Sequence, residues 1–398
     1  MNFLKDELAA LDHRSLRRSL RTVEQIDGGR LTIGGKSLLN FSSNSYLGLA
    51  RHPQVLEAVR QVLEHWGVGA ASSRLISGTS VIHQDLERAL AAFLKTEAAL
   101  LFPTGYMANL GVVTALVGPG DAMIMDRLCH ASLVDAARLS GARLFVYAHA
   151  DAAEAEKALE RARGYRRRLL VTESLFSMNG DFAPLATLAA LARKTDTLTL
   201  VDEAHAIGVY GYHGSGILGS EGMDDRWDVV VGTLSKALGS QGGFAAGSQD
   251  LMDMMINKSR SFIFTTGLSP ACVAAAGAAL SLIQEDPSRR NHLQRISARL
   301  RDGLKTQGWN ILGSESHIVP ILLGEASKAL SGAETLWNAG IFAPAIRPPT
   351  VHAGECRLRF SVTAEHTEED VESLLAILNK APSPLAGEGR GEGTNATR

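Results

Sequence analysis

The hydrophobic pattern changes period along the chain. Over residues 3–24, Leu4, Leu8, Leu11, Leu16 and Leu20 recur at helical spacing with Arg14, Arg17, Arg18 and Arg21 between them, which predicts one amphipathic helix with a basic face. Extended runs at 30–33 and 36–39 flank Gly34-Gly35 and predict a hairpin. Pro53 opens a helix with Leu56, Val59 and Leu63 on one face, ended by Gly67, and 83–96 predicts another. Between 98 and 250, short apolar runs at 98–102, 122–125, 143–146, 169–172, 197–201 and 229–231 alternate with helical stretches. Such alternation implies an α/β fold, a mostly parallel sheet with helices on both faces, and ligands on such sheets sit beyond the carboxyl ends of strands.

After about 285 the pattern becomes that of a smaller α+β domain: helix 290–306, strand 318–323, helix 325–339, strand 357–361 and helix 368–378. The chain therefore divides into an N-terminal helix and hairpin segment (1–45), a large domain (46–284), a small C-terminal domain (285–381) and a tail (382–398). The tail is rich in Gly, Pro, Ser and Glu and reads as disordered.

Composition narrows the classes. With 40 basic and 42 acidic residues among 398, the net charge of −2 gives no footprint for nucleic acid or an anionic membrane. The three cysteines, Cys129, Cys272 and Cys356, are far apart, which supports neither a disulfide framework nor a structural zinc site and fits a reducing, cytoplasmic compartment. The apolar run 271–283 is too short to span a bilayer and reads as a buried helix after Pro270, and charges at Lys5, Asp6 and Glu7 argue against a signal peptide.

Candidate chemistry lies just after the apolar runs. Lys236 follows the run 229–231 amid Thr233, Ser235 and the glycines Gly239, Gly242 and Gly243. A desolvated lysine loses its proton readily and can form a Schiff base with an aldehyde, and the glycines let backbone N–H groups approach an anion; the bland alternative is a surface lysine in a loop. Asp202 ends the run 197–201, and a carboxylate there can keep a pyridine nitrogen protonated, while His205 three residues on can reach a ring substituent. Together they point to pyridoxal 5'-phosphate (PLP). Phe102-Pro103-Thr104-Gly105-Tyr106-Met107-Ala108-Asn109 turns from strand into helix, a natural phosphate site or a plain turn. His130 could stack on a planar ring or be a structural histidine. Residues 172–181, with Ser177, add another polar strand-end cluster, and Arg347 ahead of Pro348-Pro349-Thr350 could clamp a carboxylate.

Two decoys share these letters. Asp202-Glu203-Ala204-His205 also spells a helicase box, but the nearest phosphate-loop match places Gly29 one residue too far from Lys36. A metal site on Asp202, Glu203 and His205 lacks a second histidine at helical spacing.

Taken together, the stretches 40–48, 73–79, 177–181, 201–205, 232–239 and 264–270 resemble the α-oxoamine synthase family of fold type I PLP enzymes, over about residues 35–375. Within that family the stretches 73–78, 239–244 and 262–270 lean toward the branch that joins L-alanine to a pimeloyl thioester for biotin synthesis. Asn179, Ser45 and Gly267 depart from the family's usual pattern. The resemblance implies that Lys236 is the Schiff-base lysine, that Asp202 pairs the pyridine nitrogen, that His205 and Ser177 contact the ring oxygen region, and that His130 stacks on the ring. It implies that Gly105, Tyr106 and Thr233 hold the phosphate, beside Ser235, with Thr265 and Thr266 reaching it from the second subunit of a homodimer. Arg347 would bind the amino-acid carboxylate, and Arg21, Asn44, His130 and Thr350 would contact substrate. The implied partners are L-alanine and pimeloyl-CoA or pimeloyl-acyl carrier protein, with no nucleic acid and no membrane. Sister activities on glycine or serine, and a PLP-binding protein without transferase activity, are the competing readings.

Overall fold

The alternating runs of the middle of the chain form seven strands of one sheet. They are β1 (Ala98–Phe102), β2 (Ala122–Asp126), β3 (Arg143–Tyr147), β4 (Arg168–Glu173), β5 (Leu198–Asp202), β6 (Val229–Thr233) and β7 (Gly243–Gly247), in the order β1-β7-β6-β5-β4-β2-β3. Pairing is parallel from β3 through β6, and β7 runs antiparallel to both neighbours. The central strands read as unbroken apolar runs because helices cover both faces, and β2, β6 and β7 are buried at every position. Acidic side chains enter these strands at their carboxyl ends, at Asp126, Glu173 and Asp202, and Thr233 ends β6. The sequence pattern missed β7. Gly243-Phe244-Ala245-Ala246-Gly247 has no β-branched residue and reads as a glycine loop, yet its small side chains are what the crowded centre of the sheet admits. A Cβ at Gly232 would stand 2.3 Å from the Phe244 ring.

The computed structural model describes residues 2–221 and 226–380, and within it the chain falls into two units. One comprises Asn44–Ser177 and Phe182–Asn291 and contains the seven-stranded sheet. Its core joins Phe102, Val112, Met123, Leu133, Val171 and Leu200. The predicted helices appear as Pro53–Trp66, closed by Gly67, as Val81–Leu94, and as Pro270–Glu285. Arg74 and Glu87, both nearly buried, form an ion pair at 2.9 Å there, and Glu87 also accepts from the Leu101 amide.

The other unit takes in residues up to Ser43, Met178–Asp181, and the chain from His292 onward. The N-terminal segment, set apart in the sequence division at 45, thus shares a unit with the C-terminal elements. Its hairpin pairs Arg30–Ile33 with Lys36–Asn40, and Ile341–Phe342 adds in parallel beside the latter. The Glu24 carboxylate accepts from the Gly34 and Gly35 amides and so pins the turn. A second sheet orders Ile318–Gly324, Cys356–Ser361 and Ala345–Ile346, all antiparallel.

One sequence expectation is corrected here. The helix predicted over 3–24 stops at His13, because Ser15 turns to φ 55° and its amide and that of Leu16 cap Asp12 and Leu11. Beyond it, Leu20 is fully exposed and Arg18 donates to the Arg347 and Pro348 carbonyls, so the 14–24 stretch follows tertiary contacts rather than helical period. The tail, 382–398, lies outside the described residues.

Candidate active site

The carboxyl ends of the parallel strands and the loops that follow them line a cavity of about 160 Å³. Its walls include Gly105, Tyr106, His130, Asp202, His205, Thr233 and Lys236, brought together from positions more than a hundred residues apart. Each arrives for a local reason. Asp202 ends β5, where the next residue leaves the sheet. Lys236 follows β6 in a turn held by the Gly242 carbonyl, which accepts from Thr233 Oγ1 at 2.9 Å and Ser235 Oγ at 3.2 Å. His130 is the N-cap of helix Ala131–Ser140, its imidazole accepting from the Ser132 amide. Gly105 begins helix Gly105–Leu116, capped by the Thr104 side chain.

That helix start approaches β7 so closely that only glycine fits opposite. A Cβ on Gly243 would lie 2.5 Å from both Cα and N of Gly105. Gly105 in turn faces the Thr233 side chain at ordinary contact distance, 3.5 Å from an added Cβ. The Gly105 and Tyr106 N–H groups at the helix start are donors of the kind a phosphate needs, and the Thr233 hydroxyl beside them, which here donates to Gly242, joins them only by turning from that carbonyl.

Two hydrogen-bond chains organise the rest. Lys236 Nζ lies 2.7 Å from His205 Nε2, and His205 Nδ1 lies 2.6 Å from the buried Tyr46 hydroxyl, which donates to Asn44 Oδ1 at 3.1 Å. With Tyr46 donating onward, His205 carries its proton on Nδ1 and presents Nε2 as acceptor to the lysine. On the other side, Asp202 Oδ1 accepts from the Ala204 amide at 2.9 Å and Oδ2 from Asn109 Nδ2 at 2.8 Å. These two donors fix the orientation of the carboxylate.

Behind Asp202 two further acids are buried. Glu173 is the register partner of Asp202 on β4 and accepts from the His130 amide at 2.5 Å. Burial, then the neighbouring Asp202 charge, pushes its carboxyl well above the usual range. Glu203 is raised to about 7 by burial, although the Leu218 amide, the Ser174 hydroxyl and the Ile217 amide donate to it and oppose the shift. His130 is held below its ordinary value, first by desolvation and then by Lys236, against the opposing pull of Asp202.

The other sequence candidates lie off this cavity. Ser235 is exposed in the turn before Lys236, and Ser177 is half-buried past the end of β4. Thr265 and Thr266 follow helix Arg260–Ile263, where Thr266 bridges Ser73. Gly267 sits against Gly78, whose carbonyl would be 2.8 Å from an added Cβ, so the unusual glycine answers a close backbone approach. In the other unit, the Arg21 guanidinium lies 4.8 Å from the Trp337 ring centre, and Thr350 donates its amide to the Arg347 carbonyl. Arg347 is buried, donates to the Ser15 carbonyl, and leaves Nε without a partner. Asn179 accepts from Arg357 at 2.6 Å within that unit.

Sequence reading assigned no role to Asn109, Ser132, Glu173 or Tyr46. Glu173 lay in the polar strand-end cluster 172–181, Asn109 and Tyr46 in the stretches 102–109 and 40–48, and Ser132 two residues past a histidine, but their contacts are set by sheet register and long-range packing, which no spacing rule encodes.

The arrangement offers an amine, a carboxylate oriented by two donors, an imidazole and a phosphate-type helix start around one cavity, and these fit PLP. Comparison with known proteins agrees. The family model for class I and II aminotransferases matches residues 36–378. An 8-amino-7-oxononanoate synthase of Aromatoleum aromaticum is 46% identical over 95% of this chain and 97% of its own length. That of Geobacter metallireducens is 45% identical over 94% and 96%. A solved serine palmitoyltransferase of S. paucimobilis, with PLP and myriocin bound, matches with TM-score 0.90 and 32% identity over 95% of this chain and 96% of that one. A solved 8-amino-7-oxononanoate synthase of Francisella tularensis gives TM-score 0.76 and 26% identity over 86% and 97%. No helix among the described residues is long and apolar enough to cross a membrane.

Proposed function

Because this chain belongs to the class I and II aminotransferase family, we propose that it is a PLP-dependent acyltransferase that joins L-alanine to a pimeloyl thioester with loss of carbon dioxide, forming 8-amino-7-oxononanoate. The observation that carries the reading is the single cavity gathering Lys236, Asp202, His130 and the helix start at Gly105. The choice of alanine and pimeloyl rests on relatives of that name at 44–46% identity.

When bound, PLP supplies an electron-withdrawing ring that spreads the charge left on an amino-acid Cα. The chain's own residues then have distinct work. Lys236 would hold the cofactor and would take the Cα proton on Nζ, with His205 Nε2 beside it to orient the amine. Asp202 would pair the ring nitrogen, its carboxylate held in place by Asn109 and Ala204. His130 covers one face of the ring and orders the substrate. Gly105, Tyr106, Thr233 and Ser235 take the phosphate, with Thr265 and Thr266 of a second copy. Ser177 and His205 would face the ring oxygen region. Arg347 takes the amino-acid carboxylate, and Arg21, Asn44 and Thr350 meet the remaining substrate. A homodimer in the cytoplasm, with pimeloyl-CoA or pimeloyl-acyl carrier protein as donor, completes the proposal.

The likeness to serine palmitoyltransferase structures favours one second reading, a sister activity on L-serine. The test is to supply PLP-loaded protein with a pimeloyl thioester and, separately, L-alanine, glycine and L-serine, and to weigh the product by mass spectrometry. The nine-carbon amino ketone from alanine is expected, and its loss in Lys236→Ala together with the cofactor's visible absorption. Product from serine alone would select the second reading, and full activity of Lys236→Ala would overturn both.

A further inference from the structure

His130 and Asp202 are joined through the side chains of Asn109 and Ser132. Asn109 Nδ2 donates one hydrogen to Asp202 Oδ2 at 2.8 Å and the other to Ser132 Oγ at 2.9 Å. Ser132 Oγ stands 2.8 Å from His130 Nδ1. Asn109 and Ser132 are both essentially buried.

The directions of these bonds follow from chemistry. Both Asp202 oxygens accept, Oδ1 from the Ala204 amide and Oδ2 from the NH₂ of Asn109; the reverse amide orientation would set oxygen against oxygen. That NH₂ fills an acceptor site on Ser132 Oγ, which leaves the hydroxyl hydrogen for His130 Nδ1. The Ser132 backbone N–H, a donor whatever the side chains do, points at the same nitrogen from 3.2 Å. Two donors converge on Nδ1, which therefore carries no proton. Asn109 Oδ1 is buried with no partner, so the amide is placed for its two donations rather than for full satisfaction.

We infer that Asn109 and Ser132 are positioning residues that hold His130 as the neutral tautomer protonated on Nε2 and tie that ring to the Asp202 carboxylate. His130 then has one free polar function, an Nε2–H donor. It recognises an oxygen acceptor such as a substrate carboxylate or carbonyl, and it takes no proton from substrate, which leaves that task to Lys236. The charged groups around the imidazole are Asp202, Lys236 and Asp135, with Glu173 at its backbone amide. The relay also keeps Asp202 aimed from one side, so that loss of Asn109 loosens the partner of the ring nitrogen. The tautomer stands without any cofactor; the effect on PLP binding rests on the function proposed above.

Histidine-selective ¹⁵N NMR of the PLP-free protein tests this. Wild type is expected to show His130, assigned by its loss in His130→Gln, with Nδ1 unprotonated and Nε2 protonated. Asn109→Leu, which keeps the branched heavy-atom shape and removes the donor, should raise the Nδ1–H fraction roughly tenfold, and Ser132→Ala should do the same. Should Asn109→Leu fail to fold, Ser132→Ala decides. Asn109→Leu should also weaken PLP binding, measured by absorbance titration, by roughly tenfold. A proton on Nδ1 in wild type, or a tautomer unchanged in every folded variant, overturns the inference. A shifted tautomer in a protein that binds no PLP would sustain it and sink the cofactor reading instead.

Discussion

His366 shows how a single residue can tie pH to stability away from any chemistry. Its ring stacks on Phe41 at 4.2 Å between centres, accepts from the Thr363 amide at Nδ1, and donates from Nε2 to the Asn40 carbonyl. Burial lowers its pKa to about 4. An unfolded histidine titrates near 6.5, so between these values the unfolded chain binds the extra proton and stability rises with pH. The contribution, about 3 kcal/mol from that shift, is complete above pH 6.5 and is lost as pH falls toward 4. Urea unfolding at pH 7 and pH 5 should differ by about 2 kcal/mol from this group, and His366→Gln should flatten that difference. An equal pH slope in the variant would assign it elsewhere. Nothing in the sequence marks His366 as different from His292 or His352, because its pKa is set by what buries it. Lys236 and Asp202 were legible at this scale, since strand-end position and residue type alone restrict their chemistry.

At the scale of elements, the contact between β7 and the start of helix Gly105–Leu116 sets the shape of the proposed phosphate site. Gly243→Ala would drive a methyl into the Gly105 backbone, where an added Cβ lies 2.5 Å away. Overpacking of this kind costs typically about 1–3 kcal/mol and here must move the helix start. PLP affinity measured by absorbance titration should fall roughly tenfold or more, while far-ultraviolet circular dichroism stays the same. Gly277→Ala is the contrast: its Cβ meets nothing within 4 Å, and in a helix it should add about 0.5–1 kcal/mol of stability with affinity unchanged. Unaltered affinity in Gly243→Ala would show that the helix start does not hold the phosphate. The parallel strands were readable from their apolar runs, but β7 was not. Its composition answers to the neighbours Phe102, Thr233 and Gly105, which the chain meets only after the sheet is assembled.

At the scale of the whole molecule, Thr265 and Thr266 lie away from the cavity of their own chain, and the proposed homodimer gives them their use. Hybrid dimers make the prediction. Lys236→Ala protomers mixed with a Thr265→Ala/Thr266→Ala variant, unfolded and refolded together, should regain about a quarter of wild-type sites, because each hybrid holds one intact combination. No regain in activity would mean that each chain builds its site alone. By itself, the sequence determined the α/β alternation, the six parallel-type runs, the hairpin at Gly34-Gly35 and the strand-end placement of Lys236, Asp202 and His130. These follow from local rules: periodicity, turn residues, and the polar residue that ends a buried strand. Only the tertiary structure decided that the basic N-terminal stretch is not one helix, that a glycine-and-alanine segment is the antiparallel strand β7, and that Asn109 and Ser132 link His130 to Asp202. Those outcomes depend on donors, acceptors and backbone approaches supplied by residues far away in sequence, and a hydrogen bond 93 residues long, such as Asn109 to Asp202, has no period to be read.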